Sequence, residues 1–363
     1  SGGLYVYSSA KIKMNLNGYT LSRGLSRAYN HGFVIRVNGQ LEIVDEIDEK
    51  TGKQGGEGKI TGGYNAYNGY AGGIAVYGGT LTLNGGNITG NRGTYTGGVS
   101  VSSGATFNVG GATKIANNIR AKRYDAVAQA YVSVSSSDPL AQSNLYFASA
   151  SGIVNVISPL TSGEKIGIWR AGNGVFTQGF GEHLGVTANP ASYFTSEHED
   201  YGVVEQDNVG ENGEVLREAA MLSSLNDINW LYTVQQSLAN GGAERTFNLL
   251  KNWDASPNSS YGKAFGTHST AFYYGGLLVP AGANVVLNLN GNSINRLNTG
   301  RVVIYVAGKL TIVDNSVLDP TKGSAGEIKG GSQGIYVYKG GECVMRTGNV
   351  TGNAAYGVHV YDG

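Results

Sequence analysis

GIAVYGGTLTLNGGNITGN, residues 73–91, is the stretch of sequence that decides the fold. Ile74 and Val76 alternate with small or polar residues, and Leu81 and Leu83 repeat the alternation after two glycines. Because successive side chains of a strand point to opposite faces, this alternation predicts short strands with one apolar face. The Gly and Asn residues between the strands predict turns.

The same pattern recurs along the chain. Residues 98–118 read GVSVSSGATFNVGGATKIANN, and residues 334–353 read GIYVYKGGECVMRTGNVTGN. The spacing from Ile74 to Val99 is about 25 residues, which suits one coil of a repeat architecture whose stacked units share a core. The coils resemble one another, so parallel stacking of equivalent strands fits the pattern better than a series of hairpins.

A longer repeat lies over the short one. MNLNGYTLSR (14–23) matches LNLNGNSINR (287–296), and GQLEIVD (39–45) matches GKLTIVD (308–314). We therefore expect residues 1–218 to be the C-terminal part of a first module with its end cap. Residues 219–363 would be the capping helix and first coils of a second, homologous module.

One segment has the pattern of a helix, near residues 227–240. Asn226 or Asp227 suits its start, and Gly241-Gly242 suits its end. A short amphipathic helix here would cover the open end of the repeat core. The apolar face expected to point inward consists of Ile228, Leu231, Val234 and Leu238.

Three motifs carry a resemblance to a known family: NLNGYTLSR, the repeated GGxxVxGGxLxLxGGxIxGN pattern, and NLNGNSINR following LLVPAG (277–282). They resemble the Gly-rich, pectin-lyase-like β-helix repeats of large surface and adhesin-like proteins of bacteria such as Firmicutes. The resemblance implies an all-β, right-handed parallel β-helix solenoid. It also implies an extracellular or cell-surface location, flanking homologous modules, and a structural or adhesive role.

Composition limits the function classes. Glycine supplies 58 of 363 residues, and the 26 basic residues balance the 26 acidic ones, so no basic stripe predicts nucleic-acid binding. The sequence contains no run of about 18 apolar residues, so it predicts no membrane insertion. The lone cysteine rules out an internal disulfide framework. The first residues already have a strand pattern, so we expect a segment of a longer protein whose targeting signals lie elsewhere.

The pectin-lyase-like architecture also includes polysaccharide lyases and glycoside hydrolases. A carbohydrate-active enzyme of one of these two classes is therefore the alternative function. Such enzymes need outward carboxylates on neighbouring strands, either to bind calcium or to act as an acid–base pair. The sequence contains neither NTD nor DD, and it predicts no catalytic residue, metal ligand or cofactor. The first strand of each repeat has one outward residue, and none of these residues is acidic. They are Tyr5, Arg36, Ala75, Ser100, Leu278, Tyr305, Tyr336 and His359.

Other polar residues have structural interpretations. The acidic segments 45–50 and 197–200 are expected to be solvated loops, with a weak cation site as the alternative for 45–50 and metal ligands as the alternative for 197–200. Asp314 and Asp319 flank the insertion that matches 45–50, and they have no recognisable metal-ligand spacing. Cys343 aligns with the inward Leu81, which predicts a buried structural thiol. Several asparagines fall at turns and are expected to stack in ladders: Asn17, Asn84, Asn91, Asn117, Asn118, Asn290 and Asn353.

Aromatic residues supply the candidate binding site. Tyr305, Tyr336 and His359 should form a stripe on the outer face of one sheet, and the loop between two coils adds Tyr64, Tyr67 and Tyr70. Exposed aromatic side chains suit the recognition of sugar rings or of protein surfaces. Host or dietary glycans, or host surface proteins, are therefore the expected partners. The alternative is that stacked tyrosines only stabilise the sheet.

Overall fold

The chain folds into strands with few helices. The computed structural model describes residues 2–46, 56–67, 69–125, 130–136, 141–185, 188–198, 201–209, 215–225, 227–254, 276–318 and 325–361. Strands dominate these residues, which confirms the predicted all-β class. The chain divides into two compact units, Ser1–Leu222 and Ser223–Gly363. The boundary expected after residue 218 falls inside strand β25 (Val215–Ser223).

The first unit contains two large parallel sheets. Sheet A has seven strands, in the order β1 (Leu4–Val6), β4 (Ile35–Val37), β8 (Ile74–Val76), β12 (Val99–Val101), β18 (Leu145–Phe147), β20 (Ile166–Trp169) and β23 (Phe194–Ser196). Sheet B has six, in the order β2 (Lys11–Asn15), β5 (Gln40–Val44), β9 (Thr80–Asn84), β13 (Thr106–Gly111), β19 (Val154–Leu160) and β22 (Thr177–Gln178).

Two smaller parallel sheets complete the repeat. Sheet C consists of β3 (Thr20–Ser22), β6 (Lys59–Thr61), β10 (Asn87–Ile88) and β14 (Lys114–Ile115). Sheet D consists of β7 (Tyr64–Asn65), β11 (Arg92–Gly93) and β15 (Ile119–Arg120). From β4 to β15, successive strands therefore join sheets A, B, C and D in turn, and each strand from β8 to β15 pairs with the equivalent strand of the repeat before it.

Equivalent apolar positions stack in register within each sheet. Ile35 pairs with Ile74 in sheet A, and Leu41 pairs with Leu81 in sheet B. Because equivalent residues stack directly on one another, each repeat contributes similar side chains to a single core. That core draws fully buried residues from sheets A, B and C: Ile35, Ile74, Val99, Leu41, Leu81, Phe107, Ile60, Ile88 and Ile115.

The last part of the first unit departs from the repeat. It contains the antiparallel hairpin β16 (Lys122–Asp125) and β17 (Ala130–Ser133), strands β21 (Gly174–Val175), β24 (Tyr201–Val209) and β25, the five-residue helix α1 (Phe180–Leu184), and a 3₁₀ turn at Pro190–Ser192. Phe176, Phe180 and Phe194 pack here with edge or tilted ring contacts. Buried Glu218 accepts hydrogen bonds from Thr177 Oγ1 and from the backbone N–H of Gly179, 2.7 and 2.8 Å away.

The second unit repeats the parallel pattern. Sheet E has the order β26 (Arg245–Asn248), β29 (Asn284–Asn288), β31 (Lys309–Val313) and β33 (Glu342–Met345). The other parallel sheet, F, contains β27 (Trp253–Asp254), β28 (Leu277–Val279), β30 (Ser293–Val306), β32 (Glu327–Val337), β34 (Asn349–Val350) and β35 (Tyr356–Val360). A 3₁₀ turn follows β31 at Asn315–Leu318.

Helix α2 spans Asp227–Ala239, which confirms the helix expected near 227–240. Its predicted inward face is confirmed at Val234 but wrong at Leu238. Trp230 and Val234 are fully buried, whereas Leu231 is half-buried and Leu238 is 36% exposed. The inward face is rotated because Trp230 Nε1 donates to the carbonyl oxygen of Leu278, 3.1 Å away, which fixes the indole against strand β28 of sheet F. The Ile228 side chain lies outside the described part of the chain.

Candidate binding surface

The outer side of sheet A carries a stack of aromatic rings, here called the Tyr67 column: His31, Tyr67, Tyr70 and Tyr77. The His31 and Tyr67 rings lie 5.6 Å apart, the Tyr67 and Tyr70 rings 5.7 Å, and the Tyr70 and Tyr77 rings 3.8 Å, all nearly parallel. Tyr67 is 49% exposed, and Tyr70 and Tyr77 are half-buried. The rings cover one another's faces, so the column offers mainly ring edges to solvent.

Arg36 closes one end of the Tyr67 column. Its guanidinium carbon lies 3.9 Å from the centre of the Tyr77 ring, and its Nε donates to Asn38 Oδ1 at 2.9 Å. A cation over an aromatic face is attracted by the ring quadrupole. Burial raises the pKa of Tyr77 to about 12, so this ring stays a neutral phenol at any ordinary pH.

Small outward residues beside the column have a structural reason. Ala75 and Ser100 occupy the same row of sheet A and are almost fully buried. Ser100 Oγ accepts a hydrogen bond from the backbone N–H of Ala71, 2.9 Å away. The tyrosine-bearing loop thus packs on the sheet at these positions, and a larger side chain would displace it. This loop contact is not visible in the sequence pattern, which gives only the outward direction of Ala75 and Ser100.

Of the three loop tyrosines predicted as a group, Tyr64 lies apart. It belongs to β7 and is half-buried, and the guanidinium carbon of Arg92 lies 6.0 Å from its ring centre. Tyr67 and Tyr70 stack in the column, whereas no described ring contact joins Tyr64 to them. The loop therefore divides its aromatic residues between two neighbouring sheets.

A second aromatic stack on sheet A was not anticipated. Tyr146 stacks on Trp169 at 4.9 Å, Trp169 on His198 at 5.5 Å, and His198 on Tyr201 at 4.3 Å. Tyr146 and Trp169 pair in register, directly continuing the row of Ser100. Residues 159–218 contain little of the Gly-Gly pattern, so the repeat could not be followed there. The signal that was available is the alternation of Leu145, Tyr146 and Phe147.

In the second unit, Tyr305, Tyr336 and His359 lie in register, as their spacing predicts. The Tyr305 and Tyr336 rings stack at 5.5 Å. Their expected exposure was wrong: Tyr305 is 4% exposed and Tyr336 is 7% exposed, because neighbouring rings and strands cover them. They cannot offer a ring face to a sugar without rearrangement.

The exposed rings of the second unit are neighbours of that row. Tyr338 and Tyr361 stack at 5.7 Å and are 37% and 50% exposed. Tyr356, which is 56% exposed, lies 5.1 Å from the His359 ring. In the sequence repeat Tyr338 is the counterpart of Tyr77, since GIYVY matches GIAVY. Each unit thus stacks a second tyrosine on this equivalent position, Tyr70 on Tyr77 and Tyr361 on Tyr338.

The loop acids are structural where they are described. Asp45 Oδ1 accepts from the N–H of Gly18 at 2.6 Å, and its Oδ2 accepts from the N–H of Gly56 and Gly58. Its counterpart Asp314 accepts from the N–H of Gly291 at 2.8 Å, from Ser316, and from Gly326.

Burial alone would raise the pKa of Asp314, but these hydrogen bonds outweigh it and lower the pKa. Each carboxylate therefore holds the two ends of a loop together and leaves little capacity for a cation. Residues 47–50, Asp319, Glu199 and Asp200 lie outside the described part of the chain.

A buried ladder of asparagines runs between the repeats of the first unit. Asn91 Nδ2 donates to Asn118 Oδ1 at 3.0 Å, and Asn118 Nδ2 donates to Asn144 Oδ1 at 3.2 Å. Asn144 Nδ2 then donates to Glu197 Oε1 at 2.7 Å. The predicted stacking is confirmed for Asn91 and Asn118, whereas Asn144 and the terminal carboxylate were missed.

Other turn asparagines have separate roles. Asn17 and Asn290 have φ angles of 51° and 49° and precede glycines that also have positive φ. Asparagine tolerates this left-handed region better than most residues, which explains the NLNG motif in both units. Asn117 has a φ of 57°, and Asn84 Oδ1 accepts from Ser158. Asn353 Oδ1 accepts from the N–H of Gly331, as Asn91 does from Gly63.

Cys343 pairs with the buried Leu310 on its inward side but lies on the last strand of sheet E, so it is half-buried. Burial raises the pKa of its thiol to about 11, which disfavours the nucleophilic thiolate. Across the described residues, no three His, Cys, Asp or Glu side chains converge as a metal site would require. In the same residues, no helix is long and apolar enough to span a membrane.

Comparison with protein-family models, with curated proteins and with solved structures found no match to this chain.

Proposed function

We propose that the chain is a β-helix solenoid that serves as a structural or adhesive module of a large secreted or cell-surface bacterial protein. Sheets A, B and C would be the faces of its coils. Support comes from strands that join these sheets in turn, from parallel in-register pairing of equivalent residues, and from the single core they share. Such stacking makes a stiff body from short repeats.

The adhesive part of the proposal depends on one observation: in each unit, a partly exposed tyrosine stacks on the equivalent residue that follows the GIxV strand. Tyr70 stacks on Tyr77 in the first unit, and Tyr361 stacks on Tyr338 in the second. Aromatic edges and hydroxyls on a rigid sheet suit weak contacts with glycans. Repetition along the chain would raise the overall affinity through multivalency.

The enzyme alternative gains no support from the outer row of sheet A. The outward residues there are Tyr5, Arg36, Ala75, Ser100, Tyr146 and Trp169. This row contains no carboxylate, whereas hydrolysis by an acid–base pair needs two near one another.

A glycan-array screen tests the adhesive function. The wild-type chain is compared with Tyr67→Ala and with the double variant Tyr338→Ala, Tyr361→Ala. The matched control is Tyr232→Ala, which removes a 61% exposed tyrosine from helix α2 that belongs to neither stack. We expect the stack variants to bind the retained glycans with roughly tenfold lower affinity, which corresponds to about 1.4 kcal/mol of binding free energy. The control should bind them as tightly as the wild-type chain does. A wild-type chain that retains no glycan, or variants that bind equally well, would contradict the adhesive function.

A further inference from the structure

Strands β32 and β35 of the second unit carry two buried side-chain atoms that make no hydrogen bond in the described part of the chain. Gln333 is 8% exposed, and its Oε1 atom makes no hydrogen bond. The Nδ1 atom of His359 is also buried without a hydrogen bond. Leaving a buried polar atom unsatisfied costs about 1–3 kcal/mol, so such atoms are rare in folded proteins. A group that donates to them would remove this cost.

Both atoms belong to residues of one aromatic cluster. Gln333 pairs in register with Tyr356, and Tyr336 pairs in register with His359. The His359 ring lies 5.1 Å from the Tyr356 ring and 5.1 Å from the Tyr336 ring. Tyr356 is 56% exposed, whereas Tyr336 is 7% exposed. The cluster therefore has an aromatic wall open to solvent beside buried groups that lack donors.

This combination selects a class of ligand. An amide oxygen and an unprotonated imidazole nitrogen accept hydrogen bonds, and hydroxyl groups donate them. A ligand carboxylate or phosphate would instead place its own acceptor oxygens against the lone pairs of Gln333 Oε1 and His359 Nδ1, which is unfavourable. Lys329, on the same strand as Gln333, is paired with Glu327 at 2.6 Å and so offers no free charge to an anion.

We infer that the Tyr356 cluster, consisting of Gln333, Tyr336, Tyr356 and His359, binds a neutral sugar residue. The sugar hydroxyls donate to Gln333 Oε1 and His359 Nδ1, and a face of the sugar ring lies against Tyr356. This inference rests on the proposed glycan binding and narrows it to neutral, hydroxyl-rich glycans at one place in the second unit.

Titration calorimetry on the full chain tests the inference. The neutral probes are xylohexaose, cellohexaose and mannohexaose, and the acidic probe is oligogalacturonate. The variants are Gln333→Met and His359→Phe, which keep side-chain bulk but remove the acceptors, together with Tyr356→Ala; Tyr232→Ala is the control. We expect a neutral probe to bind, the acidic probe to bind at least tenfold more weakly, and each cluster variant to lose about tenfold in affinity.

A second measurement separates a ligand role from a structural one. Because the two acceptors are unsatisfied in the free protein, Gln333→Met and His359→Phe should leave its thermal midpoint unchanged or raise it. A lowered midpoint would mean that these atoms stabilise the free fold, which contradicts the inference. Preferred binding of oligogalacturonate, or neutral binding that only Tyr67→Ala removes, would overturn the inference and leave the adhesive function standing. Binding of no probe would overturn both.

Discussion

Glu197 is the residue whose protonation matters most for the first unit. It ends the asparagine ladder, accepting from the backbone N–H and the side-chain amide of Asn144. The residue is half-buried, but its carboxyl group lies inside, against Gly167 and the ladder. Burial raises its pKa to about 7, although hydrogen bonds from Asn144 and the charge of Arg120 act in the opposite direction.

This raised pKa sets the direction of a pH dependence. The folded-state pKa of about 7 lies above the ordinary 4.5, so the protonated form favours folding. The stability that Glu197 contributes is fully present below about pH 4.5 and is lost as the pH rises through 7. We expect Glu197→Gln, which stays neutral, to raise the free energy of unfolding at pH 8 by on the order of 2 kcal/mol, and to change it little at pH 4.5.

Urea unfolding of the wild-type chain and the variant at both pH values measures this effect, with the exposed Glu164→Gln as control. An equal effect of Glu197→Gln at the two pH values would show that the carboxyl group titrates normally.

At the scale of single elements, helix α2 shows what fixes a helix on a sheet. Trp230 is fully buried, packs edge-on against Phe247 at 5.9 Å, and donates to Leu278. Ser237 Oγ also accepts a hydrogen bond from the backbone N–H of Asn284, 2.9 Å away. The helix is thus held by one large apolar anchor and by polar contacts at its far end.

We expect Trp230→Ala to lower the free energy of unfolding of the second unit by about 3–5 kcal/mol, because it removes a large buried side chain and its hydrogen bond. Leu238→Ala, on the same helix but 36% exposed, should cost about 0.5 kcal/mol. Urea unfolding followed by far-UV circular dichroism compares the two. Similar costs for both substitutions would mean that the helix packs through the face that the apolar spacing predicts.

The helix also illustrates how far sequence reasoning reaches. Its bounds could be predicted from the sequence, from Asn226 or Asp227 at its start and Gly241-Gly242 after its end, which are local signals. Its inward face does not, because the depth to which Trp230 inserts depends on the sheet below it. The same division holds for Tyr305 and Tyr336: their register follows from the repeat, but their burial depends on neighbouring rings that lie far away in the sequence.

At the scale of the whole molecule, the repeat determines which strands pair. One outward row of sheet B contains five residues, each of which pairs with the next: Lys13, Glu42, Thr82, Asn108 and Asn155. Their order could be read from matching turns as far as Asn108. Beyond it the sequence repeat becomes irregular, and the aromatic stack of Tyr146 and Trp169 and the terminal Glu197 could not be foreseen.

Spin-label distances along that row test the proposed solenoid most directly. In a chain carrying Cys343→Ala, nitroxides are attached in pairs at Thr82 and Asn108, at Thr82 and Asn155, and at Glu42 and Asn155. Stacked coils place the backbones of successive strands about 4.8 Å apart, so the three separations should rise in equal steps to about 14 Å. Separations that do not rise in this order would contradict the solenoid. So would a separation above about 25 Å, roughly five strand spacings, between the labels at Glu42 and Asn155.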